Sequence, residues 1–235
     1  MKIALLQCDT ITELMRPHAG GDYPELFSRL LDQTQEDYQL DVFDATQGEL
    51  PQNLADYTGF IITGSKHCVY QPAAWKLALE EFIRNANDGK HKLVGICFGH
   101  QILAKALGGQ VQKSPRGCGI GIHTIGITKS ATWMQPELTQ CNLVFSHQDQ
   151  VTSVPKNAEI LATSPHCPIQ MFIIGNNALG IQGHPEMNKS HSKALINQDI
   201  DNLGEDLAKR GHNSIEELSN DGSIVGHWIV NFLLL

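Results

Sequence analysis

Short apolar stretches alternate with segments of helical spacing along the first hundred residues. Lys2 to Cys8 reads as a buried strand, Tyr38 to Phe43 as an alternating one, and Gly59 to Thr63 and Leu93 to Cys97 as two more buried strands. Asp22 precedes a run with Leu26, Phe27, Leu30 and Leu31 on one face and Pro24 in its first turn, which predicts a capped helix. Pro72 to Asn87 carries Trp75, Leu79, Phe82 and Ile83 on one face, with Gly89 near its end. After Cys97, Ile102, Leu103, Ala106 and Leu107 recur at helical spacing up to Gly108-Gly109. This alternation predicts an α/β fold: an open, mostly parallel sheet with flanking helices on both faces. In such sheets function gathers at the carboxyl ends of the strands, where Gly64 and Cys97 fall.

From Gln110 the texture changes to a β-rich C-terminal half, with short strands expected at 120–127, 142–146, 158–163, 169–174 and 178–182. Turn signals such as Gly175-Asn176-Asn177 separate them. Residues 188–209 and 214–234 read as closing helices. With no repeat, low-complexity tract or linker, the pattern predicts one domain over 1–235 with a helical tail at 188–235.

A chain of 235 residues with 41% hydrophobic and 18% charged residues can bury a sizeable core. A net charge of −8 with no basic patch excludes nucleic acid as the expected partner. The apolar start meets Asp9 before a signal-peptide core could form, and the terminal Ile-Val-Asn-Phe-Leu-Leu-Leu is too short to span a bilayer. The expectation is a cytoplasmic protein without a membrane partner. Six widely spaced cysteines without a C-x-x-C suit a reducing compartment better than a disulfide framework. Eleven histidines include no H-E-x-x-H, and His67-Cys68 and His166-Cys167 are adjacent pairs that orient poorly toward one ion, so no metal and no cofactor are expected. Trp75, Trp133 and Trp228 read as packing residues, and Asp149 either caps or orients the loop after Ser146 or sits in a solvated turn.

Three segments carry chemistry. In Gly95-Ile96-Cys97-Phe98-Gly99 an apolar strand runs into Cys97 and a helix begins at once. This is the pattern of a nucleophile elbow, with glycines where a Cβ would collide, and a helix N-terminus there favours an anionic side chain. Taken alone, the cysteine reads equally well as a small buried hydrophobe. Gly183-His184-Pro185-Glu186 follows a short strand, and in extended backbone residues two apart point the same way. Glu186 could therefore hold one imidazole nitrogen of His184 while the other faces a thiol, the logic of a nucleophile, a base and an orienting acid. Ile62-Thr63-Gly64-Ser65 ends a buried strand; Gly64 is either an ordinary strand-end glycine or, with the backbone N–H of Phe98, a donor to an oxyanion.

Together these segments resemble the class I (triad) glutamine amidotransferases, in their GMP-synthase-like branch of stand-alone members. Gly95-Ile96-Cys97-Phe98-Gly99-His100-Gln101 is similar to that family's nucleophile motif, Gly183 to Glu186 to its His-x-Glu motif, and Ile62 to Ser65 to its oxyanion loop. Ser146-His147-Gln148-Asp149-Gln150-Val151 and Cys167 to Phe172 resemble further segments of the same branch, so the likeness covers roughly residues 1–190. The resemblance implies the flavodoxin-like fold of that family. It implies Cys97 as nucleophile, His184 as base and acid, Glu186 as orienting carboxylate, and Gly64 and Phe98 as oxyanion donors. It further implies that Gln101, Ser146 and His147 contact the glutamyl group.

Two departures stand out. The family commonly has an acidic residue at the position of Gly119 and an aromatic near Ile122, and both are absent. After the amidotransferase-like region only 188–235 remain, too few for the on the order of 100 residues of a synthetase domain. The expected activity is a stand-alone amidotransferase or glutaminase-type hydrolase that cleaves a small-molecule γ-glutamyl amide through a cysteinyl thioester. A separate synthetase subunit would then receive the ammonia. The rival readings are a γ-glutamyl peptidase, toward which the change at Gly119 leans, and a non-catalytic regulatory binding protein of the same fold. Stress-response proteins of the broader Cys-elbow superfamily lack the Gly-His-Pro-Glu segment present here.

Overall fold

Strand alternation sorts the core onto the two faces of one large sheet. Ile3, Leu5, Ile61, Val94 and Ile96 lie in one buried cluster, while their neighbours Ala4, Leu6, Phe60, Ile62 and Leu93 lie in another. The computed structural model describes residues 1–235. The chain runs through β1 (Lys2–Gln7), α1 (Arg16–Ala19), α2 (Tyr23–Asp32), β2 (Gln39–Asp44), β3 (Gly59–Ile62), α3 (Ala74–Asp88), β4 (Lys92–Ile96) and α4 (Phe98–Ala106). It continues through β5 (Gln110–Lys113), β6 (Gly119–Ile127), β7 (Gln140–His147), β8 (Asp149–Ser153), β9 (Ala158–Thr163), β10 (Met171–Ile174) and β11 (Ala178–Ile181). It closes with α5 (Lys189–Gln198), α6 (Ile200–Leu203), α7 (Glu205–Glu217) and α8 (Gly222–Leu234).

Nine strands form one sheet in the order β2-β1-β3-β4-β11-β10-β9-β6-β7. The first five are parallel and the last four antiparallel, so the two textures of the sequence become two halves of one sheet. Helices α2 and α8 cover one face through Leu26, Phe27, Trp228 and Phe232; α3 and α4 cover the other through Leu79, Ile83, Ile102 and Leu103. A third cluster packs α5 and α7 onto β6 and β7. The chain leaves β1 for β2 on one side and reaches β3 on the other, which opens a crevice above the β1–β3 boundary. No helix is long and apolar enough to cross a membrane.

The expected parallel strands are present with their ends shifted by a residue or two. Asp22 caps α2 in a full capping box with Glu25. Three features differ. The helix expected over 188–209 breaks twice: at Asp199, which ends α5 with φ −106°, ψ 16°, and at Gly204, which takes φ 80°, ψ 150°, a conformation only glycine adopts readily. Helix α7 then runs straight through 210–213, expected to be a loop: Gly211 lets it approach β6 so closely that a Cβ there would sit 3.0 Å from Ile120 Cδ1. The short strands β5 and β8 pair in a separate two-stranded sheet, and Asp149 opens β8 as a buried residue rather than a solvated turn.

Candidate active site

The sharpest backbone feature is at Cys97, between β4 and α4. Its φ of 52° and ψ of −103° are strained for any residue with a Cβ, a cost of ~1–3 kcal/mol that persists only when the surroundings enforce it. The enforcement is visible. The Cys97 N–H donates to the Ile181 carbonyl and the Gly99 N–H to the Thr63 carbonyl, tying the turn to both neighbouring strand ends. A Cβ on Gly95 would lie 2.7 Å from the His100 nitrogen, and one on Gly99 2.9 Å from the Ile62 carbonyl carbon. The turn has no room for a side chain at either position. Phe98 opens α4, so its N–H is among the first-turn donors with no intrahelical acceptor, and the N–H of Gly64 makes no backbone bond.

His184 reaches the same place from the strand beyond β4. Its N–H donates to the Val144 carbonyl at 2.9 Å, stitching the segment after β11 to β7. Its Nδ1 lies 2.8 Å from Glu186 Oε1, and both side chains are almost wholly buried. The other nitrogen, Nε2, is buried with no nitrogen or oxygen partner. Cys97 and His184 line one cleft of about 260 Å³. Burial by itself would lower the His184 pKa. The negative charges of Cys97 and Glu186, with hydrogen bonding to both, outweigh burial and hold it well above the usual histidine range. Gly64 closes the far side of the ring, where an added Cβ would sit 3.0 Å from His184 Cε1.

The family model for glutamine amidotransferase class-I matches residues 23–202. The chain belongs to this family. Gamma-glutamyl peptidase 4 of Arabidopsis thaliana is 39% identical over 176 residues, covering 72% of this chain and 69% of that protein. Gamma-glutamyl peptidase 3 of the same plant is 30% identical over 239 residues, 97% of this chain and 94% of that one. The fold matches the crystal structure of a glutamine amidotransferase from Thermotoga maritima with a TM-score of 0.75 at 20% identity, covering 100% of this chain and 96% of that one.

Within this amidotransferase fold, the residues singled out from the sequence separate into two groups. Cys97, His184 and Ser146 line the cleft, with Glu186 directly behind His184 and Gly64 against its edge. Gln101 does not line it: its amide nitrogen donates to the Asp149 carbonyl at 2.9 Å and to Gln182 Oε1 at 3.2 Å. His147 is buried beside Ser146 in an adjoining cavity, with Nδ1 3.2 Å from the Asp149 carbonyl. That carbonyl can only accept, so Nδ1 carries the proton and Nε2 is a bare acceptor. Burial, then the nearby His166 and His184, pushes the His147 pKa well below the ordinary range. At Gly119 an added Cβ would meet His166 Nε2 at 2.9 Å and His147 Nε2 at 3.1 Å, so two imidazoles occupy the space an acidic side chain would need. His100, inside the nucleophile motif, packs on Phe172 under the sheet, and burial lowers its pKa to about 3.

The structure adds residues that sequence reasoning passed over. Tyr23, first residue of α2, lines the cleft with its hydroxyl 3.4 Å from where a Gly64 Cβ would stand. Burial, reinforced by Glu186 and Asp9, keeps it a neutral phenol. His191, on the first turn of α5, also lines the cleft, and burial with the nearby His184 lowers its pKa to about 4. Only the capping Asp22 just before Tyr23 marked that region in the sequence; nothing local marked His191. Gly64→Ala is expected to push the His184 ring off its position and reduce kcat/KM by ~10²-fold, the scale of a 1 Å misplacement. Steady-state kinetics alongside thermal melting would check it, with the melting point little changed.

Proposed function

We propose that this family member is a hydrolase of γ-glutamyl amides, working through Cys97, His184 and Glu186. One observation carries the reading: a strained cysteine and an imidazole with a free buried nitrogen share a cleft, and a carboxylate 2.8 Å away orients that imidazole. His184 in its protonated form pairs with the Cys97 thiolate. The sulfur attacks the γ-carbonyl carbon, forming a C–S bond while the carbonyl electrons move onto oxygen. The Gly64 and Phe98 N–H groups receive that oxyanion. As it collapses the C–N bond breaks, and His184 gives its proton to the departing amine. Water then attacks the thioester carbonyl carbon, forming a C–O bond as His184 takes its proton; the C–S bond breaks, the electron pair returns to the Cys97 sulfur, and glutamate leaves. Ser146 lies on the side of the cleft that would hold the glutamyl α-amino and α-carboxylate groups, with His147 next to it in the adjoining cavity. Gln101 acts there by fixing the Asp149 carbonyl rather than by touching substrate.

Likeness to γ-glutamyl peptidases, in two cases over nearly the whole chain, favours γ-glutamyl peptides over free glutamine as donors. A glutamine-dependent amidotransferase serving a separate synthetase is the competing reading. The six free thiols suit a reducing, cytoplasmic setting. Glutamate release across a panel of glutamine, γ-glutamyl amides and γ-glutamyl peptides tests the proposal. Turnover of peptides above glutamine supports it, and no turnover of any donor by folded protein refutes it.

The pH profile gives a second check. Glu186 helps hold His184 protonated above its ordinary pKa of ~6.5. Activity should fall as pH rises through the raised value, because the general acid is then lost. Glu186→Gln removes a support of the charged form, so the alkaline limb moves to lower pH. The profile reports the Cys97–His184 pair rather than either group alone. At neutral pH kcat/KM should fall ~10²–10⁴-fold, the range for losing the orienting acid of a triad. An unchanged alkaline limb would contradict the orienting role.

A further inference from the structure

The connection between β1 and α2 runs from Cys8 to Asp22 and holds the single turn of α1; its strand-to-helix stretch, Cys8 to Met15, exceeds the ~2–6 residues usual for such a loop. It lies outside the region matched by the family model, which begins at Tyr23. Loops at the carboxyl ends of the strands of such a sheet commonly carry function. This one is also firmly built. The Asp22 carboxylate accepts from the Ile11 N–H at 2.8 Å and pairs with Arg16 at 3.0 Å, while Arg16 Nε donates to the Ile11 carbonyl at 3.0 Å. Asn188 donates to the Ala19 carbonyl at 3.1 Å, and α1 packs on α5. The segment therefore forms a fixed wall of the catalytic cleft, through Asp9 to Thr12 and Met15, in a lining that also includes His191 and Leu195 of α5.

At the edge of this wall sits Lys66, at the strand end after β3. Its backbone N–H and Nζ both donate to the Asp9 carboxylate, at 2.9 and 3.0 Å. Asp9 is turned inward, with Oδ1 also taking the Thr10 N–H and Oδ2 held by the Lys66 N–H. Lys66 is the exposed partner, its side chain 68% accessible, and an ammonium has three donors of which Asp9 uses one. The charge the cleft rim shows to solvent at this point is thus a cation.

We propose that the Cys8–Asp22 segment and Lys66 form the subsite for the amine portion of the donor, and that this portion is an amino acid or peptide whose carboxylate Lys66 binds. The inference rests on the hydrolase reading above and on Ser146 marking the glutamyl side. The donor would lie with its γ-carbonyl at Cys97, its glutamyl end toward Ser146 and its leaving end along Asp9 to Thr12. His191, uncharged at neutral pH, lines this side without repelling an incoming N–H.

The test compares γ-glutamyl-alanine with γ-glutamyl-alaninamide, which lacks only the carboxylate, using wild-type, Lys66→Met and Lys66→Arg proteins, with glutamine and γ-glutamyl-ethylamide as reference donors. Wild type should prefer the free carboxylate ~10-fold in kcat/KM, the scale of one charge-assisted hydrogen bond at a partly exposed site, expressed mainly in KM. Lys66→Met should abolish that ratio, and Lys66→Arg should keep it. An unchanged ratio in Lys66→Met, or equal losses on both peptides, would overturn the assignment. Wild-type turnover of glutamine and the ethylamide but of neither peptide would overturn the subsite while leaving the hydrolase standing. Turnover of no donor would bring down both.

Discussion

Cys97→Ala is expected to leave the protein folded and to reduce kcat/KM by ~10⁴–10⁶-fold, the range for removing a nucleophile from a working triad. Alanine keeps the Cβ and so keeps the backbone strain at φ 52°, which separates the chemical from the conformational consequence of the change. Cys97→Gly separates them from the other direction. Glycine tolerates positive φ, so this variant should be equally inactive yet at least as stable as the parent, gaining up to ~1 kcal/mol once its looser unfolded chain is counted. A pair of variants that are both inactive, with the glycine form melting no lower, would identify the strain as held for function. Thermal melts and glutamate release on the same preparations decide it. Residual activity near wild type in either variant would remove Cys97 from the chemistry.

Gly99→Ala should have the largest effect on stability, ~4 kcal/mol or more. The added methyl would be forced onto the backbone carbonyl of Ile62, with the carbonyl carbon 2.9 Å away and Ile62 Cβ at 3.1 Å. None of these atoms belongs to a flexible side-chain end. Relief requires moving α4 away from β3, and that breaks the Gly99 N–H to Thr63 carbonyl bond. It also displaces Phe98 and Gly64, the two groups proposed to receive the oxyanion. The variant is expected to lose activity even where it still folds, with a denaturant midpoint well below the parent's. A midpoint close to wild type would show that the elbow is looser than these contacts imply. Gly95→Ala makes a parallel check, since its methyl would meet the first turn of α4.

The elbow could be read from sequence because its signal is local: two glycines around a cysteine where an apolar run changes period from strand to helix. His184 and Glu186 were legible for the same reason, two residues apart after a short strand. Their meeting with Cys97 is a matter of topology, since β11 pairs with β4 and brings Ile181 beside Ile96. The strands β5 and β8 escaped notice because Gln110–Lys113 is mostly polar and exposed, so no alternation marks it. The break at Gly204 was hidden by a helical pattern on both sides. The orientation of Gln101 depends on the carbonyl of Asp149, which lies far along the chain, and its motif position says nothing of that bond. Nothing in the sequence marks the wall from Cys8 to Asp22, because its value comes from what it faces.

The most direct test of the triad is to stop the reaction with acid during turnover of a γ-glutamyl peptide and examine the intact protein and its fragments by mass spectrometry. A single γ-glutamyl adduct on the peptide containing Cys97, accumulating in wild type and missing from Cys97→Ala, is the predicted result. Glutamate released at an undiminished rate by Cys97→Ala, with no adduct on wild type at any time point, would contradict the account.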